Sequence, residues 1–232
     1  MKRVRWPEAP PMDGLFAGEG EGVVVEGVLS EALCAETVQV LGRSGLERHR
    51  STYYPGGSYG QVLLAAKDLG AYRAAARALE AALPKELLRR LIACLRALLP
   101  GRTVGLPRGR EGLYGGVTVR LLEPGGAIAL HSERPDWPMM AELASRADLS
   151  VQLSFYVVLQ APEGGGQLML YEGAESGDIE APHRPILLGT GDLILFDGTR
   201  HNHRVSTVEG RLSRWTLGGF MARSGEGRVF YS

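Results

Sequence analysis

Cysteine is scarce in this chain, with two residues, Cys34 and Cys94, in 232. Both lie in apolar patterns typical of helices, so we expect reduced core side chains and neither a disulfide framework nor a cysteine zinc site. An excess of one charge is also missing, because 26 basic side chains balance 26 acidic ones. A general nucleic-acid binder usually carries a basic excess, so we expect no nucleic-acid partner.

Long apolar runs are missing as well. No stretch approaches the roughly 20 apolar residues that a membrane span needs. The N-terminal segment MKRVRWPEAPPMDG has basic residues but no apolar region behind them, which is atypical of a signal peptide. We therefore expect a cytoplasmic protein without a membrane partner, and its 44% hydrophobic content allows one large domain with a substantial core.

The pattern of glycine, proline and apolar residues divides the chain. Residues 1–21 show no periodicity and predict a loose N-terminal arm, whereas residues 22–232 predict a single domain. In residues 22–112, Ser30 is a candidate N-cap, and two helical patterns follow between Asp68 and Leu99. This part of the domain is predicted to be a mostly helical support.

Residues 113–232 consist of short runs rich in Val, Ile, Leu, Phe and Tyr, separated by PGG, PEGGG and GTGD. Such runs between Gly/Pro turns predict strands. They are YGGVTVRLLE, AIALHSE, SVQLSFYVVLQ, GQLMLYE, DLILFDG, HRVSTV and RWTLGGFMA. Because the helices precede the strands instead of alternating with them, we predict a mainly β fold with α: a double-stranded β-helix (jelly roll) braced by N-terminal helices.

Histidine is also scarce, with five in the chain, and His131 stands two residues before Glu133 at the end of an apolar run. Alternate side chains of a strand point to the same face, so these two would project together. His201 and His203 follow the predicted strand 192–196. Two histidines and one carboxylate are the ligand set of non-haem Fe(II) oxygenases, and the residue types alone leave His201 and His203 both open as the third ligand.

Several motifs strengthen this hypothesis by their order along the chain: VVVEGVLSEALCAETV, EPGGAIALHSERP, LSFYVVLQ with EGGGQLML, GDLILFDG, and HRVSTVEGRLSRWTLGGF. Between Val23 and Phe220 the chain thereby resembles the Fe(II)- and 2-oxoglutarate-dependent dioxygenases, in particular the prolyl 4-hydroxylase-like branch. The resemblance implies an oxygenase with Fe(II) as cofactor and 2-oxoglutarate and O2 as cosubstrates. Hydroxylation of a substrate C–H bond would then accompany conversion of 2-oxoglutarate to succinate and CO2.

Position by position, the resemblance implies His131, Glu133 and His203 as iron ligands and catalytic residues. His203 is favoured over His201 because the family's distal histidine directly precedes x-V, as in HRV at 203–205. Glu133 stands where the family usually has aspartate, and its additional methylene should leave metal binding intact. The resemblance also argues against the halogenating relatives, in which this carboxylate is missing so that a halide can take its place.

The cosubstrate contacts follow from the same resemblance. The family has a basic residue on the last strand that pairs with the distal carboxylate of 2-oxoglutarate, and arginine suits that role because its planar group can bind a carboxylate with two hydrogen bonds. Arg214 is our choice, since Phe220 follows it at the family's six-residue spacing, and Arg211 is the fallback. Tyr156 is a candidate hydrogen-bond donor to 2-oxoglutarate. Arg120 is a candidate to replace a tyrosine that relatives often carry before the glycine turn.

Substrate selection is expected from loops around the mouth of the β-helix. Arg134, Asp136 and Trp137 are candidate contacts, suited to an amino acid, a peptide or a natural-product-like small molecule. Desaturation, cyclisation and demethylation stay open beside hydroxylation, and the sequence does not predict an oligomeric state. Two other functions also stay open: a cupin-like metal-binding protein without 2-oxoglutarate chemistry, and a non-catalytic sensor or interaction module of the same fold.

Overall fold

The computed structural model describes residues 1–50, 56–61, 68–100, 103–106, 108–109, 112–133, 140–172, 178–225 and 227–231. The helices within these ranges are α1 (Glu31–Arg43), α2 (Leu69–Ala82), α3 (Lys85–Leu98) and α4 (Ala141–Ala144), together with a 3-10 turn at Asp13–Ala17.

The described strands are mostly short and follow one another with few helical interruptions after residue 100. In chain order they are β1 (Lys2–Arg5), β2 (Gly22–Glu26), β3 (Arg48–His49), β4 (Ser58–Tyr59), β5 (Thr103–Gly105), β6 (Arg108–Gly109), β7 (Gly112–Leu113), β8 (Thr118–Leu122), β9 (Ile128–His131), β10 (Ala147–Gln160), β11 (Gly164–Gly165), β12 (Leu168–Tyr171), β13 (His183–Ile186), β14 (Leu193–Asp197), β15 (His203–Val205), β16 (Val208–Glu209), β17 (Arg214–Ser224) and β18 (Gly227–Tyr231).

Two sheets of unequal size organise the fold. The larger has the order β1-β2-β14-β10-β17-β8-β4-β3, with β18 paired to β17 and β5 paired to β18. The smaller has the order β13-β12-β15-β9, and its neighbours are antiparallel. The prediction of a mainly β, jelly-roll fold is confirmed. Four strands of the larger sheet, β2, β3, β4 and β5, come from the part of the chain predicted to be mostly helical.

The two faces of β10 show where the interior of the β-helix lies. Phe155 and Val157 pack into the hydrophobic cluster that contains the buried leucines of α3, whereas Tyr156 and Val158 pack into a cluster with Leu168 of the smaller sheet. Alternate residues of a strand point to opposite faces. The Tyr156 face therefore looks into the space between the two sheets.

The helices begin where the sequence predicts. The hydroxyl of Ser30 accepts a hydrogen bond from the Leu33 N–H at 3.3 Å, and the carboxylate of Asp68 accepts one from the Ala71 N–H at 2.8 Å. Pro84 precedes α3. No helix of the described residues has the length and apolar character needed to cross a membrane.

Both cysteines occupy the core, as predicted. Cys34 and Cys94 are free and fully buried. Burial raises the pKa of Cys34 to about 11 and that of Cys94 to about 12, so both thiols stay protonated near neutral pH.

The prediction of a loose N-terminal arm was wrong. β1 runs parallel to β2, from the pair Lys2–Val23 onward, and Leu15 and Phe16 are 0% and 4% exposed. The backbone bonds of an edge strand and two buried apolar side chains hold the segment in place despite its glycines and prolines. The segment is too short and irregular to produce a periodic pattern, and its pairing partner lies elsewhere in the sequence.

Candidate metal centre

Three potential metal ligands meet between the two sheets. His131 ends β9, Glu133 follows two residues later, and His203 opens β15 opposite His131 in the antiparallel pairing. The Nε2 atoms of His131 and His203 lie 3.9 Å and 3.6 Å from Oε1 of Glu133. One ligand atom from each residue lies within 4.8 Å of the other two. The structure thus brings together the three residues singled out from the sequence.

Backbone carbonyls orient both imidazole rings. The Nδ1 atom of His131 lies 2.8 Å from the Ala129 carbonyl oxygen, and that of His203 lies 2.9 Å from the His201 carbonyl oxygen. A carbonyl can only accept, so each Nδ1 donates a proton to it, and Nε2 is the ring nitrogen left to bind a metal. Both Nε2 atoms lie on the side of Glu133, as metal binding requires.

The charge states of these groups also suit a divalent cation. Burial lowers the pKa of His131 to about 4, and nearby His203 acts in the same direction. Burial works against ionisation of Glu133, but the hydrogen bond and charge of His203, with smaller contributions from His131 and Arg120, lower its pKa below the usual value. An ionised Glu133 carboxylate and a neutral His131 imidazole are forms that bind metal. Two nitrogens and one oxygen are a donor set that fits Fe(II).

Two residues that sequence reasoning missed hold Glu133 in position. The backbone N–H of Glu133 donates to the Gly198 carbonyl at 2.9 Å, and the Ser154 hydroxyl donates to Oε1 at 3.4 Å. A Cβ atom added to Gly198 would lie 2.8 Å from Cγ of Glu133 and would also collide with Oγ of Ser154. Ser154 lies two residues before Tyr156 on the same strand face, and that spacing could have identified it. The requirement for glycine at 198 leaves no signal in the sequence.

Arg214 and Tyr156 line the same cavity as the three potential ligands. The guanidinium carbon of Arg214, a side chain only 5% exposed, lies 5.1 Å from the centre of the Tyr156 ring. No carboxylate of the described residues forms an ion pair with Arg214, and the buried Tyr156 hydroxyl has no hydrogen-bond partner among them. Burial raises the pKa of Tyr156 and keeps it a neutral donor. An unpaired buried cation beside an unpartnered hydroxyl fits a carboxylate ligand.

Arg120 brings a second positive charge to this cavity. Its guanidinium carbon lies 5.5 Å from the centre of the Phe220 ring. Among the described residues that line the cavity, Glu133 is the one carboxylate. Two arginines against one carboxylate suit a dianion such as 2-oxoglutarate.

The other candidate residues lie away from the cavity or outside the described ranges. The side chain of Arg211 is 94% exposed, 4.0 Å from Glu163. His201 donates its backbone N–H to the Asp197 carbonyl at 3.2 Å and contributes its own carbonyl, not its ring, to the centre. The candidate substrate contacts, Arg134, Asp136 and Trp137, lie outside the described residues and stay predictions.

Comparison of the sequence with known protein families identifies the family of this chain. Residues 9–186 and 179–232 match the sequence model of a family described as carrier-protein-independent halogenase WelO5. The chain belongs to this family. Membership of the WelO5 family confirms the enzyme prediction and the resemblance to Fe(II)- and 2-oxoglutarate-dependent oxygenases, together with Fe(II), 2-oxoglutarate and O2 as cofactor and cosubstrates.

Solved structures similar to this WelO5-family chain share its fold at low sequence identity. An N-substituted L-amino acid dioxygenase from Burkholderia ambifaria AMMD, in complex with alpha-KG, has a TM-score of 0.58 at 16% identity, covering 94% of this chain and 89% of that one. HygX from Streptomyces hygroscopicus, with nickel and 2-oxoglutarate bound, has a TM-score of 0.52 at 14% identity and covers 88% and 82%. A prolyl-4-hydroxylase from Pseudomonas putida has a TM-score of 0.50 at 17% identity and covers 92% and 97%. No curated protein matches the chain.

Proposed function

We propose that this WelO5-family chain is a hydroxylase that uses Fe(II), O2 and 2-oxoglutarate to insert oxygen into an unactivated C–H bond. Glu133 carries this proposal. Its carboxylate is 7% exposed and lies within reach of both histidines, in the place that halogenating relatives leave to a halide. Glu133 would supply the third protein ligand to the metal, so no place would be left for a halide beside 2-oxoglutarate and O2.

His131, Glu133 and His203 would hold the iron. The bound metal, with O2 and 2-oxoglutarate, supplies oxidation of the C–H bond while 2-oxoglutarate becomes succinate and CO2. Arg214 would pair with the distal carboxylate of 2-oxoglutarate, and the Tyr156 hydroxyl would donate to it. Both groups are buried, and the low dielectric of the interior strengthens such a charge-assisted contact.

An amino acid, a peptide or a natural-product-like small molecule is the proposed substrate class. Support comes from the similar structures, whose names specify an N-substituted L-amino acid dioxygenase and a prolyl-4-hydroxylase. Arg134, Asp136 and Trp137 remain the candidate contacts, since an Arg/Asp pair and an indole ring could bind the charged and apolar parts of such a molecule.

Halogenation is the second candidate, favoured by the description of the family. The two reactions differ in the product, so an assay with halide present separates them. A panel of N-substituted amino acids and prolyl peptides would be incubated with Fe(II), 2-oxoglutarate, O2 and bromide, and the products identified by mass spectrometry. Addition of one oxygen with bromide in excess supports hydroxylation, whereas a brominated product refutes it.

The metal site has its own test, which needs no substrate. Metal-free protein is titrated anaerobically with Fe(II) and then with 2-oxoglutarate, and we expect a visible charge-transfer band only when both are bound. His203→Ala should abolish the band, and Arg211→Ala, on the exposed surface, is the matched control. Iron binding without a band after 2-oxoglutarate would favour the cupin-like alternative and contradict the role of Arg214.

A further inference from the structure

A second cavity, of about 370 Å³, adjoins the candidate metal centre at Arg214. It lies among β10, the segment 161–168, the segment 186–189 and Arg3 of β1. Tyr156, Leu168 and Arg214 line both this cavity and the one that holds the metal ligands. These three side chains therefore separate two spaces, and we call the second space the rear cleft.

The stem of Arg214 packs against the backbone, and its charged end contacts Tyr156 but no carboxylate of the described residues. A Cβ atom added to Gly166 would lie 3.1 Å from Cδ of Arg214, so the Gly166 backbone packs closely against the stem. The guanidinium contacts the Tyr156 ring and has no ion-pair partner among the described residues. It can move towards the rear cleft without breaking an ion pair.

The walls of the rear cleft are apolar near Arg214 and polar farther out. Near Arg214 they include the aliphatic side chains of Val158, Leu168 and Ile186, and Glu163 also lines the cleft. Farther out, Arg3 forms an ion pair with Glu26 at 2.8 Å and is 44% exposed, so the outer end of the cleft is polar and open to solvent.

A pocket binds ligands of a single length when other side chains pack tightly behind the groups that bind the far end of the ligand, because those groups then cannot move. Overpacking by one methylene then costs about 10- to 100-fold in affinity. Arg214 and Tyr156 instead border the rear cleft, an open space of about 370 Å³. We propose that the chain accepts 2-oxo dicarboxylic acids one methylene longer than 2-oxoglutarate, namely 2-oxoadipate, with the distal carboxylate still bound by Arg214 and Tyr156.

This inference rests on the role proposed above for Arg214. The reaction balances as it does for 2-oxoglutarate: 2-oxoadipate and O2 give glutarate and CO2, one oxygen atom enters glutarate, and the other enters the C–H bond of the substrate. No co-reactant is needed beyond those of the 2-oxoglutarate reaction.

The test compares the two acids on the Fe(II)-loaded protein under anaerobic conditions. Dissociation constants come from the charge-transfer band, and the shift in melting temperature gives a second readout that does not depend on the band. We expect the dissociation constants of 2-oxoadipate and 2-oxoglutarate to agree within about fivefold. The Arg214 guanidinium can shift towards the rear cleft, which avoids most of the overpacking cost. Tight binding of 2-oxoglutarate with a loss of more than about fivefold for 2-oxoadipate, towards the roughly 10- to 100-fold loss of a closed pocket, overturns the inference but leaves the proposed function intact. Failure of both acids to bind overturns both.

Filling the rear cleft should restore selectivity. Ala161 lines the cleft and is only partly buried, so Ala161→Leu should weaken 2-oxoadipate binding about 10-fold while changing 2-oxoglutarate binding less than about twofold. Leu188→Phe is a second filling variant, useful if the first is unstable. Ala35→Leu, on the exposed face of α1, is the matched control. An equal loss for both acids in the two filling variants would contradict the assignment of the cleft.

Discussion

Replacing Gly198 with alanine should weaken iron binding without unfolding the protein. The new Cβ would lie 2.8 Å from Cγ of Glu133, whereas carbon atoms in contact settle at about 3.5–4.0 Å. The Glu133 side chain, Gly198 or both must therefore shift, by about 0.7 Å or more in total. Gly198 does not have a left-handed φ, so alanine fits the backbone, and the effect comes from this contact and the collision with Ser154.

The magnitude follows from how metal sites respond to small displacements of a ligand. Disturbing the groups that orient a ligand typically costs about 10- to 100-fold in metal affinity, which corresponds to about 1.4–2.7 kcal/mol. We expect the Fe(II) dissociation constant of Gly198→Ala to rise within that range. Turnover of 2-oxoglutarate at limiting iron should fall in proportion.

The assay is an anaerobic Fe(II) titration of the metal-free protein, with the melting temperature of the metal-free form measured in parallel. Gly42→Ala in α1 is the matched control, because its Cβ would meet nothing within 4 Å. Wild-type iron affinity in a folded Gly198→Ala protein would refute the reasoning. A collapse of the melting temperature would show instead that the residue acts on the fold.

Three further predictions concern the third metal ligand, the cosubstrate anchor and the α2 N-cap. His203→Ala should abolish iron binding in the same titration, whereas His201→Ala should retain it, because His201 contributes only its carbonyl; equal loss in both would contradict the assignment. Arg214→Gln should raise the dissociation constant of 2-oxoglutarate about 100-fold, the usual cost of removing one partner of a buried charge pair. Arg211→Gln should leave that constant unchanged. Similar constants in the two variants would disprove that Arg214 binds the distal carboxylate. Asp68→Ala should lower the free energy of unfolding by about 1 kcal/mol through loss of the α2 N-cap, measured by urea denaturation, and an unchanged midpoint would show that the cap contributes nothing.

Local patterns predicted much of the fold and the residues of the metal centre. His131 and Glu133 are two residues apart and their side chains lie on one side, with Nε2 of His131 3.9 Å from Oε1 of Glu133. The Glu133 N–H bonds to Gly198 just past the end of β9. The caps at Ser30 and Asp68 are local as well, since each bonds a backbone N–H three residues later. Such features depend on neighbours in the sequence, so the sequence reveals them.

Features that depend on distant neighbours were not predictable in the same way. The parallel pairing of Lys2 with Val23 requires a partner strand that no local pattern indicates. The need for glycine at 198 comes from Ser154 and Glu133, which reach it from other parts of the chain. The rear cleft behind Arg214 likewise depends on how four separate segments of the chain pack together.

The burial of the two cysteine thiols has a consequence in an enzyme that activates oxygen. Such an enzyme exposes its own side chains to oxidants whenever O2 reacts without a substrate in place, and thiolates are the form of cysteine most readily oxidised. With pKa values of about 11 and 12, fewer than about one in a thousand of these thiols is ionised near neutral pH. Cys34 and Cys94 are therefore protected from oxidants that form in the enzyme's own active site, because the surrounding core covers them and because they stay protonated.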